Sequence, residues 1–498
     1  MRALFLVTVL FLTLQLVSLR FSQLHVASGS PRWPFLNARR LTTTAYPFET
    51  TSSFYPVADA DADNKTIAEL CESFPKYLLQ RIQPILKMGH GEPRSQIEAQ
   101  LKTVSACFDS DELLLVFSDL DEVILGRHAI DILANLPERY HHDNPDFAPY
   151  NALQQMLDHT RQEGSTNQGI LDPAVDPTAG KHGWKLDKYK FLAEVERAWL
   201  MRPGRDWYVF YETDTYILWD NMFRFLSTLD PAAPLYMGSP SPGRDGTWFA
   251  NGGPGFVLSR GAMEKLLSHT APPLTLRGLG MLKGDCCGDS VLGWMLWEAG
   301  VPISGYFPLF NTYPAHRIPF TERSWCQPVL TLHKSTPQDM LDLWRWEHRE
   351  RKLGRPLLYS DLYEFRRVTK PGNAVRYDWD NTNYDRLAPG RDVPGDSVDA
   401  CSRACEADPT CLQYLWRGKH AKQCVLMPFV TLGSPREDET ETKQAATEAG
   451  EGEEPAAVTE VRGYSYTSGW MTARIRAWEM QHVCVTPDWV HPSVERHF

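Results

Sequence analysis

The sequence predicts an α/β fold built on a buried sheet, followed by a small α+β module held together by disulfides. Two continuous apolar runs, residues 113–117 and 207–211, have the length and composition of buried strands. Each run ends abruptly in acidic residues, and in open α/β sheets ligands bind outside the carboxyl ends of the strands. A dense group of cysteines near the C-terminus predicts the disulfide-containing module.

Length, charge and cysteine content restrict the class of protein. The chain has 498 residues, enough for two or three domains, and a formal net charge of -11. This acidic balance argues against nucleic acid as a partner, because phosphate binding needs concentrated lysine and arginine. The ten cysteines indicate disulfides and an oxidising compartment. The sequon that begins at Asn64 suits that compartment, and we expect it to be glycosylated.

The N-terminus carries an uncharged apolar run at residues 3–19, between Arg2 and Arg20. Its length is close to the lower limit of about 17 residues for a membrane-spanning helix, so residues 1–20 are predicted to be a signal-anchor. The alternative is a cleaved signal peptide, which would make the protein secreted. Residues 21–65 lack helical or strand periodicity and are predicted to be a flexible stem.

The predicted central strand at residues 207–211 is followed by Glu212, Thr213 and Asp214. Two acids directly after a buried strand are costly unless a cation meets them. The position therefore favours a divalent metal and its phosphate ligand. The alternative is that Asp214 only caps the helix that begins near residue 217.

Two neighbouring segments carry further candidates for a nucleotide-sugar or phosphate site. Asp119 follows the strand at residues 113–117, in the same position that the acids hold after the central strand. Lys188 lies near the start of a predicted helix, where it either faces a diphosphate or is simply solvated. Before them, the apolar spacing of residues 70–85 predicts helix.

Later segments add a loop, an acid and a histidine. Residues 248–259 place three glycines and a proline between apolar segments, and glycine permits close approach of the backbone to a ligand. Asp289 precedes the apolar helix predicted at 290–299, where it is either an N-cap or a general base. His333 ends a predicted strand and is either structural or, with Asp214, a ligand of Mn²⁺.

Four motifs occur in a fixed order: YETDTYILWDN from 211, FANGGPGFVLSR from 249, GDCCGDSVLG from 284 and TLHK from 331. Together they resemble the fringe and core 1 β1,3-galactosyltransferase group over residues 67–368. The resemblance implies a GT-A fold over residues 66–377, a nucleotide-sugar-binding α/β sandwich with one mixed sheet. It also implies a single-pass type II protein of the Golgi membrane with a lumenal catalytic domain.

The resemblance also implies roles for particular residues. Asp214 and His333 become ligands of Mn²⁺ or another divalent cation, and Asp289 becomes the catalytic base. The expected donor-binding residues are Asp119, Lys188, Glu212 and Thr213. The expected acceptor-binding residues, with two aromatic rings for stacking on a sugar, are Trp248, Phe249, Asn251, Gly252 and Gly253.

The implied activity is transfer of a hexose or N-acetylhexosamine from a UDP-sugar to a glycan or glycoprotein acceptor. Transfer would invert the donor's configuration and form a β1,3 linkage. Glu212 and Thr213 depart from the resembled group, which prefers aspartate at both positions, and Thr213 has no carboxylate. This departure supports the alternative of a non-catalytic glycan-binding protein with a degenerate transferase fold.

The module at residues 391–486 contains CSRACEADPTCLQYLW from 401 and CVLM from 424. Its pattern of helix and strands resembles a PAN/apple domain, in which a helix is stapled to a sheet, and a zinc site is the alternative. The resemblance pairs Cys401 with Cys424 and Cys405 with Cys411. Residues 436–461 are acidic and poor in apolar residues, so we expect a disordered insert.

Outside the module, a bridge between Cys71 and Cys107 is plausible. The pairing of Cys286, Cys287, Cys326 and Cys484 cannot be deduced from the sequence.

Overall fold

A computed structural model of the chain describes residues 61–142, 144–162, 176–268, 272–350, 355–365, 374–382, 390–418, 422–436 and 466–498. The expected signal-anchor at 1–20 lies outside the described residues. So do most of the stem at 21–65 and most of the acidic insert at 436–461. Within the described ranges, no helix is both long and apolar enough to cross a membrane.

Residues 61–365 contain the elements of an α/β domain. The strands are β1 (Ile82–Lys87), β2 (Leu115–Ser118), β3 (Glu122–Ile124), β4 (Arg127–Asp131), β5 (Trp207–Glu212), β6 (Tyr216–Ile217), β7 (Tyr236–Gly238), β8 (Pro240–Pro242), β9 (Trp248–Ala250), β10 (Phe256–Ser259), β11 (Ile303–Gly305), β12 (Phe310–Asn311) and β13 (Thr331–Leu332). The helices are α1 (Ile67–Cys71), α2 (Arg94–Lys102), α3 (Ala148–Gln162), α4 (Lys181–Met201), α5 (Trp219–Ser227), α6 (Arg260–Leu266), α7 (Leu274–Gly284), α8 (Gly288–Glu298), α9 (Pro337–Glu350) and α10 (Tyr359–Phe365).

One eight-stranded sheet with the order β11-β7-β10-β5-β1-β2-β4-β3 organises this domain. β5 pairs in parallel with β1 and antiparallel with β10, so the sheet is mixed. The predicted central strand is confirmed as β5, whose first five residues are buried. Since β1, β2 and β5 run parallel, their carboxyl ends meet at one edge of the sheet.

The core lies between this sheet and the helices α4, α7 and α8. Apolar side chains from both layers form one buried cluster, which includes Ile85, Leu115, Tyr189, Leu192, Phe210, Phe256, Leu279 and Leu292. Burying this much apolar surface is the main favourable contribution to the stability of such a domain. The α7 helix, which follows a proline-rich stretch, was not predicted from the sequence.

The prediction of helix over residues 70–85 is wrong. The helix α1 ends at Cys71, a 3-10 turn follows at Lys76–Gln80, and β1 begins at Ile82. Every residue of β1 is buried, so the strand lacks the alternation of apolar and polar residues that distinguishes a half-buried strand from a helix. The consequence for function is that Lys87 lies at the carboxyl end of a central strand, paired in register with Glu212.

The C-terminal module is an antiparallel sheet with one disulfide-linked helix. Its elements are β14 (Val375–Tyr377), β15 (Trp379–Asp380), β16 (Arg391–Pro394), β17 (Gln413–Arg417), β18 (Gln423–Met427), β19 (Ser434–Pro435), β20 (Tyr466–Trp470), α11 (Val398–Ala407) and α12 (Thr472–Gln481). The sheet order is β14-β20-β17-β18-β16, and β14 precedes the expected domain boundary at residue 377. The sheet of the module therefore begins earlier than the sequence suggested.

The disulfides join all ten cysteines in pairs. Cys71 bonds to Cys107, and in the module Cys401 bonds to Cys424 and Cys405 to Cys411, as expected from the sequence. These last two bonds tie α11 to β18 and to the segment before β17. The pairings that the sequence left open are Cys286 with Cys287 and Cys326 with Cys484. Bonded cysteines offer no thiolate, so the structure argues against the zinc site.

The module packs firmly on the α/β domain. Besides the Cys326–Cys484 bond, the ring of Trp325 contacts that of Trp478 at 4.7 Å, and its indole N–H donates to the carbonyl of His482 at 2.6 Å. The last residues of the chain return to the α/β domain, where the backbone N–H of Ser493 donates to Gly305 at 2.8 Å.

Replacement of Cys326 and Cys484 by serine is expected to lower the free energy of unfolding by about 2 to 5 kcal/mol. The bond closes a loop with a sequence separation of 158, and removing such a cross-link increases the entropy of the unfolded chain. Denaturant unfolding of the full-length protein measures the effect. Ser360→Ala, which removes a hydroxyl 3.6 Å from the Cys484 sulfur, is the matched control. Unchanged stability in the double variant would contradict the expectation.

Candidate functional site

A cavity of about 670 Å³ opens at the edge of the sheet where β1, β2 and β5 end. The structure brings to its lining most of the site residues predicted from the sequence, namely Asp119, Lys188, Glu212, Thr213, Asp214, Gly252, Gly253, Asp289 and His333. They come from loops and helix ends that are far apart in the chain, as is usual at the carboxyl edge of an α/β sheet.

Three potential metal ligands cluster in this cavity. One donor atom each from Glu212, Asp214 and His333 lies within 4.8 Å of the other two. The small sheet β12-β13-β6 brings them together, because β13 pairs antiparallel with β6 and places His333 beside the residues that precede β6. The imidazole Nε2 of His333 is 3.4 Å from Oδ2 of Asp214. Asp214 does not cap a helix, since α5 has Leu218 at its N-cap position.

The donor set of this cluster fits a divalent metal. Burial lowers the pKa of His333 to about 4, so its imidazole is neutral at pH 7 and has a lone pair to donate. Burial also raises the pKa of Glu212, and it raises the pKa of Asp214 to about 6. Among the described residues, the buried Oδ1 of Asp214 has no hydrogen-bond partner. Two carboxylates and an imidazole are ligands that Mn²⁺ accepts.

The loop between β9 and β10 needs glycine beside this cluster. A Cβ atom at Gly253 would lie 2.0 Å from the His333 ring, a distance that no side chain permits. The carbonyl of Gly253 also accepts a 2.6 Å hydrogen bond from the Thr215 hydroxyl. The glycine-rich loop therefore holds the histidine against the end of β5.

Asp289 lies on the first turn of α8, where Cys287 rather than Asp289 holds the N-cap position. Its Oδ2 accepts a hydrogen bond from the Gly252 N–H at 2.9 Å, and its Oδ1 accepts one from the Ser290 N–H at 2.9 Å. Burial raises the pKa of Asp289 to about 6. The carboxyl group is thus fixed in position, ionised at neutral pH, and a stronger base than an exposed aspartate.

Asp289→Asn is expected to stabilise the protein at pH 8 but not at pH 4. A pKa raised from 3.8 to about 6 means that the ionised form is disfavoured in the folded state, so stability is lost as the pH rises through this interval. A difference of one pKa unit corresponds to about 1.4 kcal/mol. The ionised carboxylate therefore lowers the stability of the folded state at pH 8 by about 1 to 3 kcal/mol, and the lower values apply because the site is partly open to water. Thermal unfolding in EDTA measures it. A variant less stable than the parent at pH 8 would contradict the assignment.

A buried lysine that was not predicted from the sequence, Lys87, neutralises acids that line the cavity. The Nζ atom of Lys87 lies 2.6 Å from Oδ1 of Asp187 and 3.0 Å from Oε1 of Glu212. It also lies 3.8 Å from the centroid of the Phe191 ring. Burial opposes its charge, but Asp187, Glu212 and Glu194 together raise the pKa of Lys87 above its ordinary value. Lys87 lies just after the segment that was wrongly predicted to be a helix, so this role was not predicted from the sequence.

Asp119 is held in position by a second buried ion pair, with Lys190. Its Oδ2 is 3.0 Å from the Nζ atom of Lys190, and its Oδ1 accepts from the His90 N–H at 2.7 Å. Both side chains of the pair are almost fully buried, with relative exposures of 1% and 2%. Lys188, in contrast, is 3.0 Å from Oδ2 of Asp146 and donates to the carbonyl of Asp285. Both Asp119 and Lys188 line the cavity, but each already has a charged partner.

Thr213 has a carboxylate neighbour that the linear sequence does not reveal. Its hydroxyl donates to Oε2 of Glu92, whose other oxygen accepts from the Gly89 N–H at 2.7 Å. Burial raises the pKa of Glu92 to about 7. Although Thr213 lacks a carboxylate, the cavity has an acidic group beside it, contributed by the loop after β1.

The expected acceptor-side residues are divided between two places. Gly252 and Gly253 line the 670 Å³ cavity, whereas Asn251 lines a neighbouring one. Trp248 and Phe249 line neither cavity. Their strand β9 packs against α8 so closely that a Cβ at Gly293 would lie 2.3 Å from Phe249 Cβ. The structure therefore does not place these two rings where a sugar in either cavity would stack.

A disulfide between the consecutive residues Cys286 and Cys287 also lines the cavity, next to α8. These two cysteines and Asp285 lie close enough to suggest a second metal site. However, disulfide sulfurs are poor ligands compared with thiolates. The candidate metal site is therefore the cluster at Asp214 and His333.

Comparison with known protein families finds a match for part of the chain. Residues 173–279 match the family model described as Fringe-like. The matched segment includes β5, the acidic triplet at 212–214 and the glycine-rich loop, and it ends before Asp289 and His333. No curated protein matches the chain. The match supports a fringe-like glycosyltransferase family, with sugar donor and acceptor molecules as the partners that such a family implies.

Proposed function

We propose that the chain is a metal-dependent, inverting glycosyltransferase. It transfers a hexose or N-acetylhexosamine from a UDP-sugar to a glycan or glycoprotein acceptor, in a β1,3 linkage. The observation that carries the proposal is that one cavity holds both the cluster of Glu212, Asp214 and His333 and the fixed carboxylate of Asp289. Such a pairing of a metal site with a base suits the displacement of a diphosphate leaving group.

Asp214, His333 and Glu212 would hold a divalent cation, with Mn²⁺ as the proposed ion. When bound, the cation offsets the negative charge of the diphosphate and so makes UDP a better leaving group. The neutral imidazole of His333 binds without first losing a proton, because its pKa is about 4. Lys87, which is paired with Glu212, limits the repulsion among the acids while no cation is bound.

Asp289 acts as the general base. Its carboxylate accepts the proton of the acceptor hydroxyl while that oxygen bonds to the anomeric carbon from the face opposite UDP. The bond from the anomeric carbon to the phosphate oxygen breaks at the same time, and UDP leaves with the electron pair. One displacement converts an α-linked donor into a β-glycoside, so no second carboxylate nucleophile is needed.

The proposed cellular setting is the Golgi lumen, with residues 1–20 as the anchor of a type II membrane protein. The five disulfides suit an oxidising compartment. Asn64 is exposed and therefore accessible for glycosylation. For the C-terminal module we propose a PAN/apple fold, supported by a helix bonded to an antiparallel sheet through Cys401–Cys424.

Release of UDP by the full-length protein, supplied with a panel of UDP-sugars and either Mn²⁺ or EDTA, tests the proposal. Metal-dependent release from a preferred donor, increased by a suitable acceptor, would support a transferase and identify its sugar. Mn²⁺-dependent UDP binding without turnover of any donor would favour the alternative, a non-catalytic glycan-binding protein. Absence of both binding and release would refute the proposal.

A further inference from the structure

A second cavity, of about 510 Å³, lies next to the candidate active site. Its lining comes from the β8 strand, the glycine-rich loop, the segment after β12, the residues after β13 and the C-terminal segment of the chain. The lining residues that matter here are Asn251, His316, Arg317, His333, Lys334 and Arg496. Of these, Asn251 is among the residues expected from the sequence to bind the acceptor.

The lining of this cavity is strongly cationic. It contains the side chains of Arg317, Lys334 and Arg496, which are positively charged at neutral pH, and two histidines. Among the described residues that line it, none is an aspartate or glutamate. The charge of this lining is opposite in sign to that of the whole chain, which has a formal net charge of -11. A concave, positively charged surface attracts and binds anions.

Hydrogen bonds orient two of the cationic side chains, Arg317 and Arg496. The guanidinium of Arg317 donates a hydrogen bond of 3.2 Å to the hydroxyl of Ser434. Ser434 belongs to the C-terminal module. Arg496, near the end of the chain, donates to the carbonyl of Pro240 and the hydroxyl of Ser241. These contacts orient both side chains. His316 has an acid nearby, with its Nδ1 at 4.0 Å from Oδ2 of Asp339, which does not line the cavity.

The cationic cavity adjoins the candidate active site. His333 and Lys334 line both cavities. Asn251, in the cationic cavity, directly precedes Gly252, whose N–H donates to the Asp289 carboxylate. A glycan in the cationic cavity therefore lies next to the elements that hold the base and the metal ligands. This is the place for an acceptor, since the donor's phosphates belong with the metal cluster.

We propose that the cationic cavity binds an anionic group on the acceptor glycan, so that the natural acceptors are acidic. This inference rests on the proposed function, because it assigns the cavity to the acceptor of that reaction. The shared chemistry is a carboxylate, sulfate or phosphate that receives charge-assisted hydrogen bonds from Arg317 and Lys334. The C-terminal module and the last residues of the chain then act in acceptor binding, since the module orients Arg317 through Ser434 and the last residues supply Arg496.

Equilibrium binding of the full-length protein to a glycan array tests the inference without requiring turnover. The array carries neutral oligosaccharides beside their uronate, sulfate-ester and phosphate-ester counterparts, which distinguishes the sources of the negative charge. We expect acidic members to bind about 10- to 100-fold more tightly than their neutral counterparts, as hydrogen bonds to charged groups imply. Binding without such a preference, or no binding of acidic glycans, would overturn the inference.

Single-residue variants test which side chains cause the preference for acidic glycans. Arg317→Gln is expected to remove most of the preference for acidic glycans, and Arg317→Lys to restore part of it. Arg323→Gln, at an exposed arginine outside both cavities, is the matched control. Should Arg317→Gln fail to fold, Lys334→Gln provides the same comparison at an exposed side chain of the cavity.

Affinity for UDP in the presence of Mn²⁺ is measured on the same samples. If Arg317→Gln weakens UDP binding as much as glycan binding, the cavity belongs to the donor and the inference is wrong. An acidic preference that depends on Arg317, in a protein that releases no UDP from any donor, would refute the proposed reaction but retain the cationic glycan site. The two failures are thus distinguishable.

Discussion

Asp289→Asn is expected to reduce transfer by about a thousandfold while leaving Mn²⁺-dependent UDP binding intact. General bases contribute about 10²- to 10⁴-fold to catalysis. An asparagine oxygen still accepts the hydrogen bond from the Gly252 N–H, so the loop keeps its anchor, but the amide cannot take the acceptor's proton. The loss should therefore appear in kcat and not in the affinity for UDP.

Initial rates of UDP release with a saturating donor and acceptor measure this loss. Asp285→Asn is the matched control, because Asp285 is four residues away and does not line the cavity. Together with the expected stabilisation of Asp289→Asn at pH 8, loss of turnover would mark a residue kept for function at the expense of stability. Full activity in Asp289→Asn would exclude it as the base.

Asp214→Asn is expected to weaken Mn²⁺-dependent UDP binding by at least about 100-fold. Changes to residues that only support a metal ligand already cost about 10- to 100-fold in metal affinity, and Asp214 is proposed to be a ligand itself. The amide keeps the size of the side chain but loses the negative charge that attracts the cation. His333→Gln should give a similar loss, since it removes the imidazole of the same cluster.

Calorimetric titration of UDP into each variant, with Mn²⁺ and with EDTA, gives these affinities directly. The control is Asp121→Asn, at an exposed acid whose partner is His128 and which lies outside the cavity. Wild-type affinity in Asp214→Asn would show that the cluster does not hold the cation. Equal UDP affinity of the unmodified protein in Mn²⁺ and in EDTA would show that no metal takes part.

Residues whose position in the cavity follows from local sequence could be predicted. Asp119 and Asp214 each follow a continuous apolar run that is buried on both faces of the sheet, so strand and acid can be recognised within a few residues. The cysteines of α11 are likewise one helical turn apart and face the same side. Such short-range patterns reflect the backbone geometry of a single element.

Residues whose role depends on distant pairing could not be predicted. Lys87 reaches Asp187 and Glu212 only because β1 lies beside β5, and its strand resembled a helix in apolar spacing. The loop that carries Glu92 has no periodic pattern, and its contact with Thr213 arises from the meeting of strand ends. Arg496 and Arg317 line one cavity although they are far apart in sequence. Long-range packing, which no local pattern records, creates these neighbours.

The stereochemistry of the product tests the central claim most directly. The proposed reaction uses Asp289 as its base, beside the potential metal ligands Glu212, Asp214 and His333, and proceeds by a single displacement at the anomeric carbon. Proton NMR of the reaction of an α-linked UDP-sugar, recorded in the presence of Mn²⁺ and an acceptor, reports the configuration of the first product formed. The account predicts a β-glycoside. An α-glycoside would require retention of configuration and would contradict it.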